Sequence, residues 1–325
     1  MKFPFAVRNA PTVATVLVLL ALFGLASFQY EGFFSRRVIA NLLGDNALLG
    51  VASAGMMFVI VAGGIDLSVG SVLAFSGVLV ASLVQSHGVS PFLAAPLALL
   101  LGIGFGAAMG TLIQWYELPP FLVTLGGMFL ARGMAFVISS ESIGITHPLY
   151  ERVMEWGIPW GGGANVSTIA IGFILVILLG SFLLHGTRFG RNVYALGGSE
   201  PSARLMGLPV SATKIWVYAL SGFCSSLAGV MSTFYKGSGN PADGMGFELD
   251  VIASVVIGGT LLTGGVGNMG GTLTGVLIFG TIQTALSFDG RLSSSWLRIV
   301  MGLLLLGFIL FQRVLSRSKA SSSAG

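Results

Sequence analysis

From Leu67 to Tyr116 the chain carries no Asp, Glu, Lys or Arg. A run of that length cannot end in an ordinary soluble core, and it exceeds the ~20 residues that one helix needs to cross a ~30 Å hydrocarbon layer. It must hold two crossings, and the polar, glycine- and proline-containing stretch Ser86-His87-Gly88-Val89-Ser90-Pro91 supplies the break. The whole chain repeats the pattern. Only 9% of its residues are charged, against roughly 25% in a soluble domain. Lipid is the solvent such a surface requires. The 48 glycines fit the same setting, because small residues let membrane helices approach closely.

Charged residues divide the remaining sequence into further apolar blocks. The reading is an all-α, polytopic membrane protein of about ten transmembrane helices, in one permease domain over residues 1–325. The spans fall at Thr12–Gln29, Asn46–Ile65, 67–85, 92–114, Leu118–Ser140, Thr168–Leu184, Ile215–Tyr235, 251–263, 268–288 and Leu292–Phe311. The eighth is short and broken by Gly264-Gly265-Val266-Gly267. Lys2 and Arg8 before the first block resemble the start of a cleavable signal, but the uncharged stretch is long enough to span, and it is read as an uncleaved first helix. Ten spans put both termini on one side. Placing them in the cytoplasm gathers Lys2, Arg8, Arg188, Arg191, Arg204, Lys214, Arg313, Arg317 and Lys319 inside, more than half of the 16 basic residues. That bias accounts for the net charge of +4 and removes the argument for nucleic-acid binding. Residues 316–325, rich in Ser and Ala, read as a disordered tail.

Chemistry is poorly provided for. No G-x-x-x-x-G-K-[ST] phosphate loop occurs, so the chain has no ATP site of that kind. Its one cysteine, Cys224, lies in an apolar run, and His87, His147 and His185 are far apart. No metal or acid–base cluster is expected, and the function implied is passage of a solute.

Three segments stand out. In Gly63-Gly64-Ile65-Asp66-Leu67-Ser68 a lone acid sits at a glycine break between apolar helices. Asp66 either caps the following helix or contacts a partner or the solute path, since an acid at membrane depth is expensive unless paired or wet. In 190–207, inside the 185–214 loop, Ser199 and Gly207 bracket a short helix over Glu200-Pro201-Ser202-Ala203-Arg204-Leu205-Met206. This is either an amphipathic linker or a compact element shaped for a cleft on another protein. In 252–267, Gly258-Gly259 and Gly264-Gly265 break an apolar helix, as transporters do beside a cavity. Val61–Ser68 and Val256–Thr263 also form a weak internal repeat, which points to pseudo-twofold halves. Arg132 within the fifth span reads as a buried pair or a snorkelling side chain.

Four stretches, G-G-I-D-L-S-V-G-S at 63–71, P-P-F-L-V-T-L-G-G-M at 119–128, G-R-N-V-Y-A-L-G-G at 190–198 and I-A-S-V-V-I-G-G-T-L-L-T-G-G-V-G at 252–267, resemble in order the motifs of ribose-type ABC sugar permeases. Gly44–Ala47, Glu141–Ile143 with His147-Pro148, and 287–294 resemble, within that family, the permeases of galactofuranose importers. The resemblance implies an ATPase partner that carries ATP and Mg²⁺, a periplasmic sugar-binding protein and a second, related permease, with no cofactor in this chain. It makes 190–207 the ATPase-coupling interface, with Arg191, Tyr194, Gly197, Gly198, Glu200, Arg204 and Gly207 as candidate contacts. Polarity and position suggest Asn46, Asp66, Ser68, Thr124, Gly258, Gly259 and Gln283 for the translocation path. The competing class is an ion-coupled secondary transporter or channel, which needs intramembrane acids; an intramembrane enzyme is disfavoured by the missing acid–base cluster.

Overall fold

A computed structural model describes residues 10–290, 296, 299–308 and 310. The chain is mostly helical. In order, the elements are α1 (Ala10–Gln29), α2 (Arg36–Asp45), α3 (Ala47–Val61), α4 (Val69–Ala81, extended by a π-turn over Ser82–Ser86), α5 (Pro91–Trp115), α6 (Pro120–Ile138), β1 (Ile143–Gly144), α7 (Pro148–Glu155), β2 (Gly157–Gly161), β3 (Ala164–Ser167), α8 (Thr168–Gly186), α9 (Arg188–Gly198), α10 (Glu200–Leu205), α11 (Val210–Lys236), β4 (Ser238–Gly239), α12 (Phe247–Ile257), α13 (Met269–Asp289) and α14 (Ile299–Phe308). Local chemistry sets their ends. Pro91 and Pro120 open α5 and α6, where a missing N–H costs nothing. Ser167 Oγ accepts from Ala170 N to cap α8, and Asn268 Oδ1 accepts from Gly271 N to cap α13.

Two helices form the centre. Every residue of α3 except Leu48 is buried, so its all-round apolar surface meets protein on every side. The long α11 packs against α5, α3 and α4. Gly102, Gly106 and Gly110 make one face of α5 nearly bare of side chains, and it lies on the backbone of α11 around Tyr218 and Gly222. A Cβ on Gly106 would fall 2.2 Å from the Tyr218 carbonyl oxygen. Ser226 Oγ closes the contact by donating to the Ala98 carbonyl, 2.8 Å away. Outward, α5 exposes Leu93, Leu97, Leu100 and Leu101, and α8 exposes Leu175, Leu178, Leu179 and Phe182. Apolar faces of this extent suit lipid or a partner helix.

The strands are small and lie at the end of the bundle opposite α9 and α10. Strands β2 and β3 form an antiparallel hairpin that leads into α8, and β1 pairs with β4 beyond α11. Arg132 on α6 reaches this end, where Nη1 donates to the Pro241 and Asp243 carbonyls. It is therefore a structural tie between α6 and the loop before α12.

Among the described residues, six helices are long and apolar enough to cross a bilayer, and α2 with α3, bent by 52°, makes up to seven. The apolar part of α1 (Val13–Gln29), α12 with 11 residues and α14 are shorter. Several boundaries differ from the charge-based reading. Helix α3 stops at Val61, because Gly63 turns the chain with φ +83°. Helix α11 begins at Val210, ahead of Lys214, since a lysine near a helix end can keep its ammonium in polar surroundings. The eighth span starts at Phe247, with Glu248 and Asp250 in its first turn, where acids suit the helix dipole, and it ends at Ile257. Lys2, Arg8, Arg313 and the 316–325 tail lie outside the described residues, as does part of the tenth span.

Candidate functional site

Helices α9 and α10 build a bracket at one end of the bundle. Thr187 Oγ1 accepts from Gly190 N and starts α9. Val193 and Leu196 are buried, while Arg191 faces out. Tyr194 Oη donates to the Gly267 carbonyl at 2.6 Å and so ties α9 to the loop before α13. Ser199 caps α10, its Oγ accepting from Ser202 N. The helix closes with two bonds, Gly207 N to the Arg204 carbonyl and Leu208 N to the Ala203 carbonyl, and Gly207 adopts φ +72°. This is a Schellman ending, in which Leu208 packs near buried Ala203. The expected caps at Ser199 and Gly207 are both present, with Gly207 one residue beyond the last half-helical position.

Glu200 holds the bracket to α11. Its carboxylate receives Arg204 Nη2 at 2.8 Å and Lys214 Nζ at 2.8 Å. Burial opposes ionisation of Glu200, but the hydrogen bonds from Lys214 and Arg204 outweigh it and hold its pKa below the usual glutamate value. A lowered folded pKa gives stability that is present above the unfolded value and is lost as pH falls through the folded one. The clamp is therefore expected to stay intact from about pH 8 down to about pH 5, above the usual glutamate range. Transport measured across that window should show no step that Glu200→Gln removes. Beside the exposed Pro201, Ser202 and Arg204, the end of α10 presents an apolar tip: Leu205 is 89% exposed and Met206, just past the helix, 66%. Sequence reasoning missed these two, although adjacent apolar residues at the tip of a polar helix were a visible signal.

Behind the bracket three backbones meet. Gly197 lies against Val61 at the end of α3, and Gly264 and Gly265 follow α12. Gly265 N donates to the Val61 carbonyl at 2.8 Å. The two glycine-broken segments that resemble each other in sequence are thus in direct contact, with α9 seated on the joint.

Above the joint, Asp66 is fully buried. Oδ1 accepts from Ser68 N at 2.9 Å and Ser68 Oγ at 2.6 Å, and Oδ2 from Ser221 Oγ of α11 at 2.7 Å. Asp66 does not cap α4 directly, since Ser68 occupies that position; the carboxylate binds the N–H two residues on and ties the turn to α11. Thr124 joins from α6, donating to the Pro120 carbonyl at 2.9 Å and lying 3.4 Å from that of Ile65. Asp66, Ser68 and Thr124 therefore come together. The other candidates do not join them. Asn46 is buried against Gly280 of α13 and donates to the Leu42 carbonyl. Gly258 abuts Gly271, Gly259 turns with φ +92°, and Gln283 is exposed on α13.

A cleft of about 380 Å³ opens between the α3–α4 turn, the end of α5, α10 and α11. Gln114, Glu117, Glu200, Arg204, Lys214 and Tyr218 supply its polar lining. Glu117 has φ +51° and is the one non-glycine residue with positive φ among the described residues. No cluster of His, Cys, Asp and Glu suited to a metal occurs among the described residues. His147 instead caps α7 through Nδ1, and His185 packs near Tyr194.

The family described as "Branched-chain amino acid transport system / permease component" matches residues 38–309. The inner membrane ABC transporter permease protein YjfF of Escherichia coli K12 is 49% identical, over 95% of this chain and 93% of the relative. The fructose import permease protein FruG of Bifidobacterium longum is 37% identical, over 93% and 90%. The ribose import permease protein RbsC of Bacillus subtilis is 38% identical, over 91% of each. No solved structure matches the chain. A helical, multi-pass bundle, a bracket joined to both helix breaks and relatives matched along nearly their whole length converge on one conclusion: the chain belongs to this permease-component family, among the ribose-type ABC sugar permeases, and is an inner-membrane transport subunit, not an enzyme.

Proposed function

We propose that the chain is one of two permeases in an ATP-driven monosaccharide importer, and that α9–α10 is the element on which its ATPase acts. The observation that carries this is the pairing of an exposed apolar tip, Leu205–Met206, with a rigid root at Gly197 that touches both helix breaks. A push on the tip reaches the α3–α4 turn and the α12–α13 loop without an intervening flexible side chain. Arg191, Gly198 and Arg204 are exposed on the same two helices. On this reading the bracket is cytoplasmic, both termini lie on that side, and α1, α12 and α14 complete ten crossings in two related halves. The partners are the ATPase with its ATP and Mg²⁺, a periplasmic sugar-binding protein and a second permease of related sequence. Galactofuranose or a related sugar is the proposed cargo, supported by the resemblance at Gly44–Ala47, 141–148 and 287–294. The path runs past Asn46, Asp66, Ser68, Thr124, Gly258, Gly259 and Gln283, weakly polar so that cargo is not retained.

The test is reconstitution. The chain should co-purify with an ATPase, and proteoliposomes holding the full complex and binding protein should take up labelled sugar only with ATP. Leu205→Asp, which places a charge on the docking tip, should reduce that uptake at least tenfold, a loss of about 1.4 kcal/mol or more in coupling. Uptake by this chain alone, driven by a proton or sodium gradient without ATP, would replace the proposal with the secondary-transporter reading.

A further inference from the structure

The cleft beside α10 holds polar groups that neither the bracket nor the packing uses. Gln114, at the end of α5, is 7% exposed, and its Oε1 meets no hydrogen-bond partner. Tyr218 on α11 is 2% exposed, and its hydroxyl sits against the Ile65 backbone with no side-chain partner for its O–H. A buried amide oxygen without a partner is uncommon, because it loses its water and gains nothing in return. Both line the same opening, which at about 380 Å³ has the size of a small-molecule site. The strained Glu117 stands at its edge, and such backbone outliers gather where a ligand is held.

The charges narrow the ligand class. Glu117 and Glu200 balance Arg204 and Lys214, and both cations already bind the Glu200 carboxylate at 2.8 Å. An anion therefore finds no uncommitted cation here. An apolar ligand would leave Gln114 Oε1 and the Tyr218 O–H unpaired. The remaining class offers several hydroxyls, which both donate and accept.

We infer that this cleft binds a neutral, polyhydroxylated small molecule of monosaccharide size, with hydroxyls donating to Gln114 Oε1 and to the Glu117 carboxylate and accepting from Tyr218 Oη. The inference rests on the proposed sugar-importer reading for its choice of molecule, and it assigns the cleft a role that reading does not contain. A sugar lodged there lies between α10 and the α5–α6 loop, braces the bracket against motion, and slows import when cargo accumulates on that side.

The experiment uses the complete complex in nanodiscs, without ATP or binding protein, titrated calorimetrically with D-galactose, D-ribose and D-fructose and separately with inorganic phosphate. At least one sugar should bind saturably and phosphate should not. Gln114→Leu and Tyr218→Phe should each weaken binding roughly tenfold, the effect of losing one buried hydrogen bond, while Gln114→Glu, which keeps an acceptor, should retain it. If Gln114→Leu does not assemble, Tyr218→Phe decides, since it removes a single oxygen. Absence of saturable binding by all three sugars, equal affinity in the variants, or displacement by phosphate would sink the inference. ATP-driven uptake by the unaltered complex is measured alongside. Uptake without cleft binding removes this inference alone, whereas failure to take up any monosaccharide with ATP removes the importer reading.

Discussion

Gly197→Ala is expected to abolish ATP-dependent uptake, while Gly198→Ala next to it leaves uptake close to normal. A Cβ at Gly197 would lie 1.7 Å from the Val61 carbonyl oxygen and 2.6 Å from Gly265 N. Both obstacles are backbone, so no rotamer change relieves them. The Gly265 N to Val61 O bond must open or α9 must lift off the joint, and overpacking together with a broken buried bond costs about 2–5 kcal/mol. A Cβ at Gly198 meets nothing within 4 Å. The comparison separates a requirement for close approach from a general intolerance of change in α9. Reconstituted uptake, together with a pull-down of the ATPase, reads it out, and equal activity of the two variants would show that the joint does not transmit motion.

Asp66→Ala is expected to destabilise the folded chain by about 3 kcal/mol or more, because each buried donor left without its acceptor costs about 1–3 kcal/mol. Three donors lose their acceptor: Ser68 N, Ser68 Oγ and Ser221 Oγ. Among the described residues no Lys or Arg forms a salt bridge with this carboxylate, so the hydroxyls and the turn N–H carry its stabilisation. Asp66→Asn preserves the shape and one acceptor oxygen, and its loss should be near 1 kcal/mol. Thermal unfolding of the detergent-purified protein distinguishes these, with the order wild type, Asn, Ala. An Ala variant as stable as the wild type would mean that the turn and α11 are held together by packing alone.

The spans were legible wherever charge and helix ends coincide. The blocks at 92–114, Leu118–Ser140 and Thr168–Leu184 fall within a few residues of α5, α6 and α8, since proline or serine marks the start and polar residues mark the end. Where a charged side chain sits inside a helix, the rule fails. Lys214 reaches along α11 to Glu200, and Glu248 and Asp250 favour the first turn of α12, so charge spacing misplaced both boundaries. The short helix at Glu200 was readable from its caps because capping is local. The Gly197 joint and the Gln114 cleft were not, since each depends on residues far apart in sequence that only the completed bundle brings together. Arg36 shows the same limit: its Nη1 donates to the Trp160 carbonyl of the β2–β3 hairpin, a contact nothing in its neighbourhood announces.

Thr15 on α1 donates to the carbonyl of Ile257, the last residue of α12, at 3.0 Å. During synthesis the first helix leaves the ribosome long before the residue whose backbone it satisfies, and ribosomes add only about 5–20 residues each second. For many seconds the hydroxyl must borrow a temporary acceptor within its own helix, and the amino-terminal segment waits in the bilayer with its final docking surface unmade. A nascent chain arrested before α12 therefore holds a first helix that is inserted but not anchored, and quality-control proteases in the membrane meet a substrate whose maturity is decided near its far end.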